Sequence, residues 1–377
     1  NSWQDLLNAS QSGTKKRVGV LVNSSADEFA TKNGGNQIEV VRFDGATDAM
    51  LATRNGQIDA TLQDEPAATY YVQKPEFQNR LKLTPDRLGP GWYVIYLNKS
   101  QEKLAEALDR AIGELIDSGE LRAIYEKYGL WHDDQELLSN AEVWQKAVTE
   151  TQTQASETGE FRVRKYLPFL IRAAGMTILL SVTSMPLAMM IGLAVAVGRL
   201  YGPRFLRPFL VMYVEFLRGT PLMLQLFFIF YIVPELFGFG LPALLASILG
   251  LALNYSAYES EIYRAGLQAI PDGQMEAALA LGMKRSQAIW RIIIPQATRI
   301  VIPPVTNDFI ALFKDTSVCS VITIVELTKQ YSILANSTLK VLEFAVLTSS
   351  LYLLMSWPLS RFASWYEKRL EAENEMS

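Results

Sequence analysis

EAALALGMKRSQAIWRIIIP, residues 276–295, mixes small, basic and apolar residues between segments long enough to cross a membrane. Pro271-Asp272 opens a helix just ahead of it, because proline is tolerated in a first turn and aspartate favours a helix N-terminus. On that helix Glu276, Ala277 and Ala278 form a nearly flat face that another protein can approach closely. Gly282 is placed to end the helix, and Pro295 to set the angle of the segment that follows.

Working outward, Ala173 to Gly198 is an uncharged run of 26 residues and Leu236 to Tyr258 another of 23. Each exceeds the roughly 20 residues that span a hydrocarbon core. Three further candidates are Pro208 to Val233, Ile300 to Val325 and Phe344 to Ser360. The first of these is interrupted by Glu215 and Arg218, the second by Asp308, Lys314 and Asp315. Charges near the bilayer centre cost at least about 2.5 kcal/mol each, so these face protein, water or an interface. Five spans are therefore expected. Arg199, Arg204 and Arg207 follow span one, Lys284, Arg285, Arg291 and Arg299 follow span three, and Arg361, Lys368 and Arg369 follow span five. The loop from Pro234 to Pro242 has no Lys or Arg. Basic loops stay inside, which gives an N-terminus out, a C-terminus in and a cytoplasmic 276–295. Arg162, Arg164, Lys165, Arg172, Lys329 and Lys340 count against this orientation and are outweighed.

Charge divides the 377 residues: 1–160 carry 16 basic and 25 acidic residues, 161–377 carry 19 and 14. The acidic part has no basic patch interleaved with aromatics, which argues against nucleic acid as a partner. Cys319 stands alone in an apolar segment, so no intramolecular disulfide can form. No G-x-x-x-x-G-K-[ST] run is present, so the chain carries no phosphate cradle of that kind for ATP. No metal site is expected. In the acidic part, RVGVLVNSSADEFA from Arg17, IEVVRF (38–43), a helix around Ala46 to Asn55 and IDATLQD (58–64) alternate strand with helix, as in a parallel α/β lobe. WYVIYLN (92–98) precedes two amphipathic helices, about Glu102 to Asp117 and Gly119 to Tyr128.

The spacing E-A-A, three residues, Gly282, nine residues, Ile-x-Ile-Pro resembles the cytoplasmic coupling loop of ABC importer permeases. YVEFLRGTPLMLQLFF (213–228), SAYESEIYRAGLQAIPDGQMEAA (256–278) and FIALFKDTSVCSVITIVELT (309–328) resemble the polar amino acid subfamily. The resemblance implies a type I ABC importer fold, all-α with five transmembrane helices, over 166–370, with its coupling loop at 264–298. It also implies that Glu276, Ala277, Ala278, Gly282 and Pro295 engage a separate ABC ATPase dimer, which holds the ATP and Mg. The chain itself is then not an enzyme and carries no cofactor. A five-span bundle is too narrow to enclose a path, so a second permease copy is expected, most simply an identical one. Glu215, Arg218, Asn254, Glu261, Lys314 and Asp315 are candidates for a hydrophilic pathway or transient amino acid site, against the alternative of packing or interfacial ion pairs.

VGVLVNSSADEF (18–29), GQIDATLQDEPAA (56–68) and SGELRAIYEKYGLW (118–131) resemble periplasmic amino acid binding proteins from their second lobe onward. The resemblance implies that Asp64 pairs with a ligand α-ammonium and that Ser24 or Ser25 helps hold the α-carboxylate. Asn23 stands where that family usually has glycine. Only 14 residues precede Lys15, where a first lobe should lie. The expectation is a partial solute-binding domain over 1–132, either a fragment or a degenerate module, with the fragment favoured. A linker and entry helix at 133–165 and a cytoplasmic tail at 371–377 complete the organisation. The expected function is a permease subunit of a polar amino acid importer in a bacterial inner membrane, with a fused extracytoplasmic binding module. An amino-acid-gated channel and a transmembrane sensor are the alternatives.

Overall fold

A computed structural model describes residues 2–11, 14–89, 93–98, 100–139, 163–238 and 240–375. The chain forms two compact units, Asn1–Phe161 and Arg162–Ser377.

In the first unit, α1 (Trp3–Gln11), β1 (Lys16–Leu21), α2 (Ser25–Gly34), β2 (Ile38–Phe43), α3 (Ala46–Arg54), β3 (Ala60–Thr61) and α4 (Glu65–Val72) build a small parallel sheet of order β2-β1-β3. One face buries Val18, Val20, Ala26, Ala30 and Ile38 with Leu7; the other buries Phe43, Ala49, Ala52 and Ile58. Gly19 permits the second cluster, because a Cβ there would stand 2.5 Å from the Ile58 Cδ1 atom. The segment 58–64 is shorter as a strand than its pattern predicts, pairing only at Ala60 and Thr61. Residues 93–98 have no regular structure and expose Tyr93, Val94, Ile95 and Tyr96. The amphipathic helices α5 (Glu102–Asp117) and α6 (Glu120–Lys127) follow, with no buried residue in either. Of the expected linker and entry helix at 133–165, residues 140–162 lie outside the described residues; a 3-10 turn, Asp133–Ser139, precedes them.

The second unit is helical. The long helix α7 (Val163–Tyr201) crosses α11 (Ala243–Gln268) along a stripe of small side chains. Thr177, Ser181, Ser184, Ala188, Gly192 and Ala196 are buried on one helix, Ala246, Ser247, Gly250 and Ala257 on the other. Small residues let helix backbones approach where lipid removes any hydrophobic drive to associate. Gly192 is a point of close approach, since a Cβ there would lie 2.7 Å from the Glu259 Cβ and 2.9 Å from the Ser256 carbonyl.

The expected spans need correction. The segment 208–233 is broken: α8 (Arg207–Gly219) and the run from α9 (Leu222–Phe227) to α10 (Val233–Phe237) meet at 109°. Pro221 is the reason, because proline forces the residue before it out of helical geometry, and Thr220 is extended at φ −116°, ψ 144°. The expected span 300–325 also ends early. Helix α14 (Ile294–Asp315) gives way to a 3-10 segment, Thr316–Ile322, before α15 (Leu327–Thr338). The third span begins at Ala243 rather than Leu236. Among the described residues two helices, Val163–Tyr201 and Val341–Tyr366 within α16 (Val341–Glu375), are long and apolar enough to cross a membrane, or three counting the bent pair.

Two five-residue π segments interrupt this unit, Phe228–Ile232 and Ile289–Ile293, and each lies one residue before a proline-containing turn, Val233-Pro234 and Ile294-Pro295. Proline has no N–H to give and clashes with the carbonyl four residues back. The widened turn relieves that clash: the N–H groups of Val233 and Ile294 reach back to the Phe228 and Ile289 carbonyls. Pro295 therefore lies in the first turn of α14, which follows α13 (Arg285–Ala288) and the π segment without an intervening loop.

Two outcomes follow for stability. Gly192→Val overpacks the α7–α11 crossing and costs about 1–3 kcal/mol, read as a lower midpoint in thermal unfolding of the detergent-solubilised chain, whereas Gly175→Val, in open space, is tolerated. Burial alone would raise the Asp59 carboxyl, but the Arg17 N–H and the Lys16 ammonium outweigh it and hold the group below the usual carboxylate range. Its contribution is full above the unfolded value of about 3.9 and is lost as pH falls through the lower folded value. Denaturation of the first unit between pH 5 and pH 3, followed with Asp59→Asn, shows a smaller loss of stability in the variant.

Candidate functional site

The helix α12 (Asp272–Ala280) carries the EAA stretch. It ends in a Schellman arrangement: the Met283 N–H donates to the Ala278 carbonyl at 3.1 Å and the Gly282 N–H to the Leu279 carbonyl at 3.0 Å. Gly282 adopts φ +81°, a left-handed value that costs other residues about 1–2 kcal/mol. Glu276 and Ala277 are exposed, as are Gly273 and Ala280, which recur at helical spacing on the same side. Ala278 does not share that surface. It is buried, packed back toward the Arg285–Ile293 segment where Ala288 is buried too. The exposed face is therefore Gly273, Glu276, Ala277 and Ala280, bordered by Leu281, which is 83% exposed.

The helix break at Thr220-Pro221 forms one wall of a cavity of about 540 Å³ lined by residues of 218–222, by Asn254, Tyr255 and Tyr258, and by Asp308, Ala311 and Asp315. A broken helix leaves carbonyls without partners, which is tolerable at membrane depth only if protein groups satisfy them. Here the Gln225 side-chain amide donates to the Leu217 carbonyl at 2.8 Å and to the Thr220 carbonyl and hydroxyl at 3.1 and 2.9 Å. Asn254 in turn donates to the Gln225 side-chain oxygen at 3.1 Å. Across the cavity the Tyr255 hydroxyl donates to Asp315 Oδ2 at 2.7 Å, and the Arg218 guanidinium lies 5.5 Å from the Tyr258 ring centroid.

Of the six pathway candidates the cavity gathers Arg218, Asn254 and Asp315. The other three are placed elsewhere. Glu261 bridges Arg199 of α7 and Arg264 of its own helix, the latter at 2.5 Å, so its carboxylate is occupied in joining two helices. Glu215 and Lys314 are exposed and absent from the lining. Asp308, Tyr255 and Tyr258 were missed as site residues. Asp308 stands seven residues before Asp315 on one helix, and Tyr255 and Tyr258 stand one and four residues after Asn254 on another, which was the available signal. Glu259 was missed as well: it is fully buried at the Gly192 crossing, with Tyr263 one turn further along the same helix as its polar neighbour.

In the first unit Ser24, Ser25 and Asp64 sit at the carboxyl ends of the neighbouring strands β1 and β3, the edge where open parallel sheets present ligands. Ser24 is already engaged. Its hydroxyl donates to the Leu21 carbonyl at 2.7 Å and accepts the Asp27 N–H, capping α2, while Asp27 also holds Arg42. Ser25 and Asp64 are exposed. Asn23 adopts φ +57°, the left-handed region in which glycine is commonest and asparagine is tolerated.

Residues 185–372 match the family described as binding-protein-dependent transport system inner membrane component. The chain is 36% identical over 209 residues to the L-cystine transport system permease protein TcyB of Bacillus subtilis (strain 168), an overlap of 55% of this chain and 89% of that one. It is 32% identical over 206 residues to the glutamine transport system permease protein GlnP of Escherichia coli (strain K12), covering 54% and 94%. A solved structure described as an amino acid ABC transporter with histidines is 35% identical, with a TM-score of 0.52 over 55% of this chain and 96% of that one. The broken helix, the α12 turn and the cavity all fall inside the matched region, and the chain belongs to the binding-protein-dependent transport system inner membrane component family, among its amino acid ABC permeases.

Proposed function

We propose that this chain is the membrane-spanning subunit of an importer of polar amino acids, driven by a separate ABC ATPase dimer that docks on α12 and holds the ATP and Mg. The observation that carries this reading is the exposed small-residue face of Gly273, Glu276, Ala277 and Ala280, set rigidly by the glycine turn at Gly282. Closure of the ATPase dimer on ATP moves α12, and the Arg285–Ile293 segment packed on it passes that motion into α14, which carries Asp308 and Asp315 of the cavity wall. The cavity is the transient amino acid site. Arg218 suits an α-carboxylate, and the Asp315 carboxylate oriented by Tyr255 suits an α-ammonium.

A second permease copy, most simply identical, completes the pathway in a bacterial inner membrane, with the first unit outside and the C-terminus in the cytoplasm. The first unit is a fused amino acid binding module. Ser25 and Asp64 at one sheet edge support that role; Ser24 serves the α2 cap instead. Tethering such a donor raises its effective concentration at the permease.

In the purified complex with its ATPase, Glu276→Lys reduces substrate-stimulated ATP hydrolysis to the unstimulated rate, and Gly282→Val does the same by distorting the turn, while both variants remain inserted in the membrane. Stimulation that survives both changes would overturn the docking assignment.

A further inference from the structure

The turn between α7 and α8 carries positive charge without a counter-charge. Between Arg172 and Glu215 the only charged residues are Arg199, Arg204 and Arg207. Arg199 is accounted for, because Glu261 binds it together with Arg264. Arg204 and Arg207 are exposed and have no hydrogen-bond or ion-pair partner among the described residues. They stand three residues apart in a helical turn, where the Leu206 N–H donates to the Pro203 carbonyl at 3.0 Å and the Leu210 N–H to the Leu206 carbonyl at 3.2 Å. Residues at that spacing are neighbours, so the two like charges oppose each other until an anion lies beside both.

Leu206 and Leu210 fix this turn to α7. A Cβ at Gly198 would stand 2.7 Å from the Leu210 Cδ1 and 4.0 Å from the Leu206 Cδ2, so that glycine is the seat on which both leucines rest. With the leucines turned inward, Phe205, Phe209, Met212 and Phe216 are left exposed, as is Tyr201. The first four recur at steps of four, three and four residues, which is one face of a helix. An apolar stripe thus runs along α8 and ends beside two arginines. Tyr201 is the last residue of α7, a helix long and apolar enough to cross a membrane, so the arginines lie at the depth where a span meets water.

From this juxtaposition we propose that the turn 201–209 binds an anionic phospholipid. The guanidinium groups of Arg204 and Arg207 hold the headgroup phosphate, since arginine presents a planar fork of donors that matches phosphate oxygens. An acyl chain lies along Phe209, Met212 and Phe216. A zwitterionic headgroup brings its own cation to a place that already has two and no acid, so a net-negative lipid is preferred. The proposal rests on α7 being a membrane span, and neither on the docking of α12 nor on the cavity.

The test uses the full chain purified in mild detergent. Phosphatidylglycerol or phosphatidylcholine of the same acyl composition is added in increasing amounts, and lipid adducts are counted by native mass spectrometry. The native chain is expected to take up phosphatidylglycerol at about tenfold lower concentration than phosphatidylcholine. Arg204→Ala with Arg207→Ala is expected to bring the two lipids level, and Arg204→Lys with Arg207→Lys to keep part of the preference. Either single change, Arg204→Gln or Arg207→Gln, is expected to lose part of it, which keeps the test readable if the double alanine variant does not fold. Arg361→Ala with Lys368→Ala removes the same charge from α16 and is expected to leave the preference intact. Inorganic phosphate is expected not to displace the lipid, because it lacks the chain that the stripe holds.

Equal uptake of the two lipids by the native chain, or a preference that survives loss of both arginines, overturns the proposal. A preference lost equally in the α16 variant, or an adduct displaced by phosphate, does the same. The spectra also report the oligomeric state. An adduct present on single chains and absent from dimers shows a second copy covering this face, and overturns the proposal as well.

Discussion

A helix can stop partway through a bilayer only if other groups take over the hydrogen bonds it abandons. At Thr220-Pro221 that task falls to two side-chain amides. Gln225 reaches back across the break to the Leu217 and Thr220 carbonyls, and Asn254 on the neighbouring helix fixes the Gln225 amide by donating to its oxygen. The two amides convert what would be an untenable gap into a rigid corner. The cavity depends on that corner, which holds Arg218 on one limb and Leu222 on the other, and brings Asn254 and Tyr255 of α11 up to the same space. An apolar residue at 225 would leave the Thr220 carbonyl without its donor while Pro221 still forbids a continuous helix, so the corner would lose its rigidity.

The small-residue crossing of α7 and α11 supports the corner from behind. Gly192 and the serines and alanines around it allow backbone approach, and the buried Glu259 occupies the room that the missing Cβ leaves. Two residues further along α11, Glu261 gathers Arg199 and Arg264 into an ion-pair cluster. Two acids on one helix thus have opposite surroundings, one enclosed by packing and one neutralised by two guanidinium groups. Helix periodicity explains the contrast, since residues two apart point to different sides of α11.

Composition and spacing made much of the architecture legible. The apolar run at 173–198, the strand-to-helix turn at Asn23-Ser24 and the helix stop at Gly282 each rest on a local rule, and each is found where that rule puts it. What was not legible depends on pairing between distant segments. Hydropathy counts could not register the 109° break, because residues on both sides are apolar and only Pro221 announces it. Ala278 reads as part of a docking face until the following segment folds back and covers it. Ser24 reads as a ligand donor until its hydroxyl is found capping its own helix. Asp308 drew attention as an interruption of a span, and only the approach of α11 turns it into a wall of a cavity.

The two π segments have a bearing on how such permeases can diverge. Each is one residue more than an α-helix needs, and a helix turns about 100° per residue. The widened turn at 289–293 absorbs that residue locally, so α14 beyond it keeps the phase that places Asp308 and Asp315 on one side. A one-residue insertion or deletion beside these prolines can therefore be taken up by gaining or losing a π turn. The segment between the coupling helix and the cavity can thus change length while the lining and the helix crossings are left as they are.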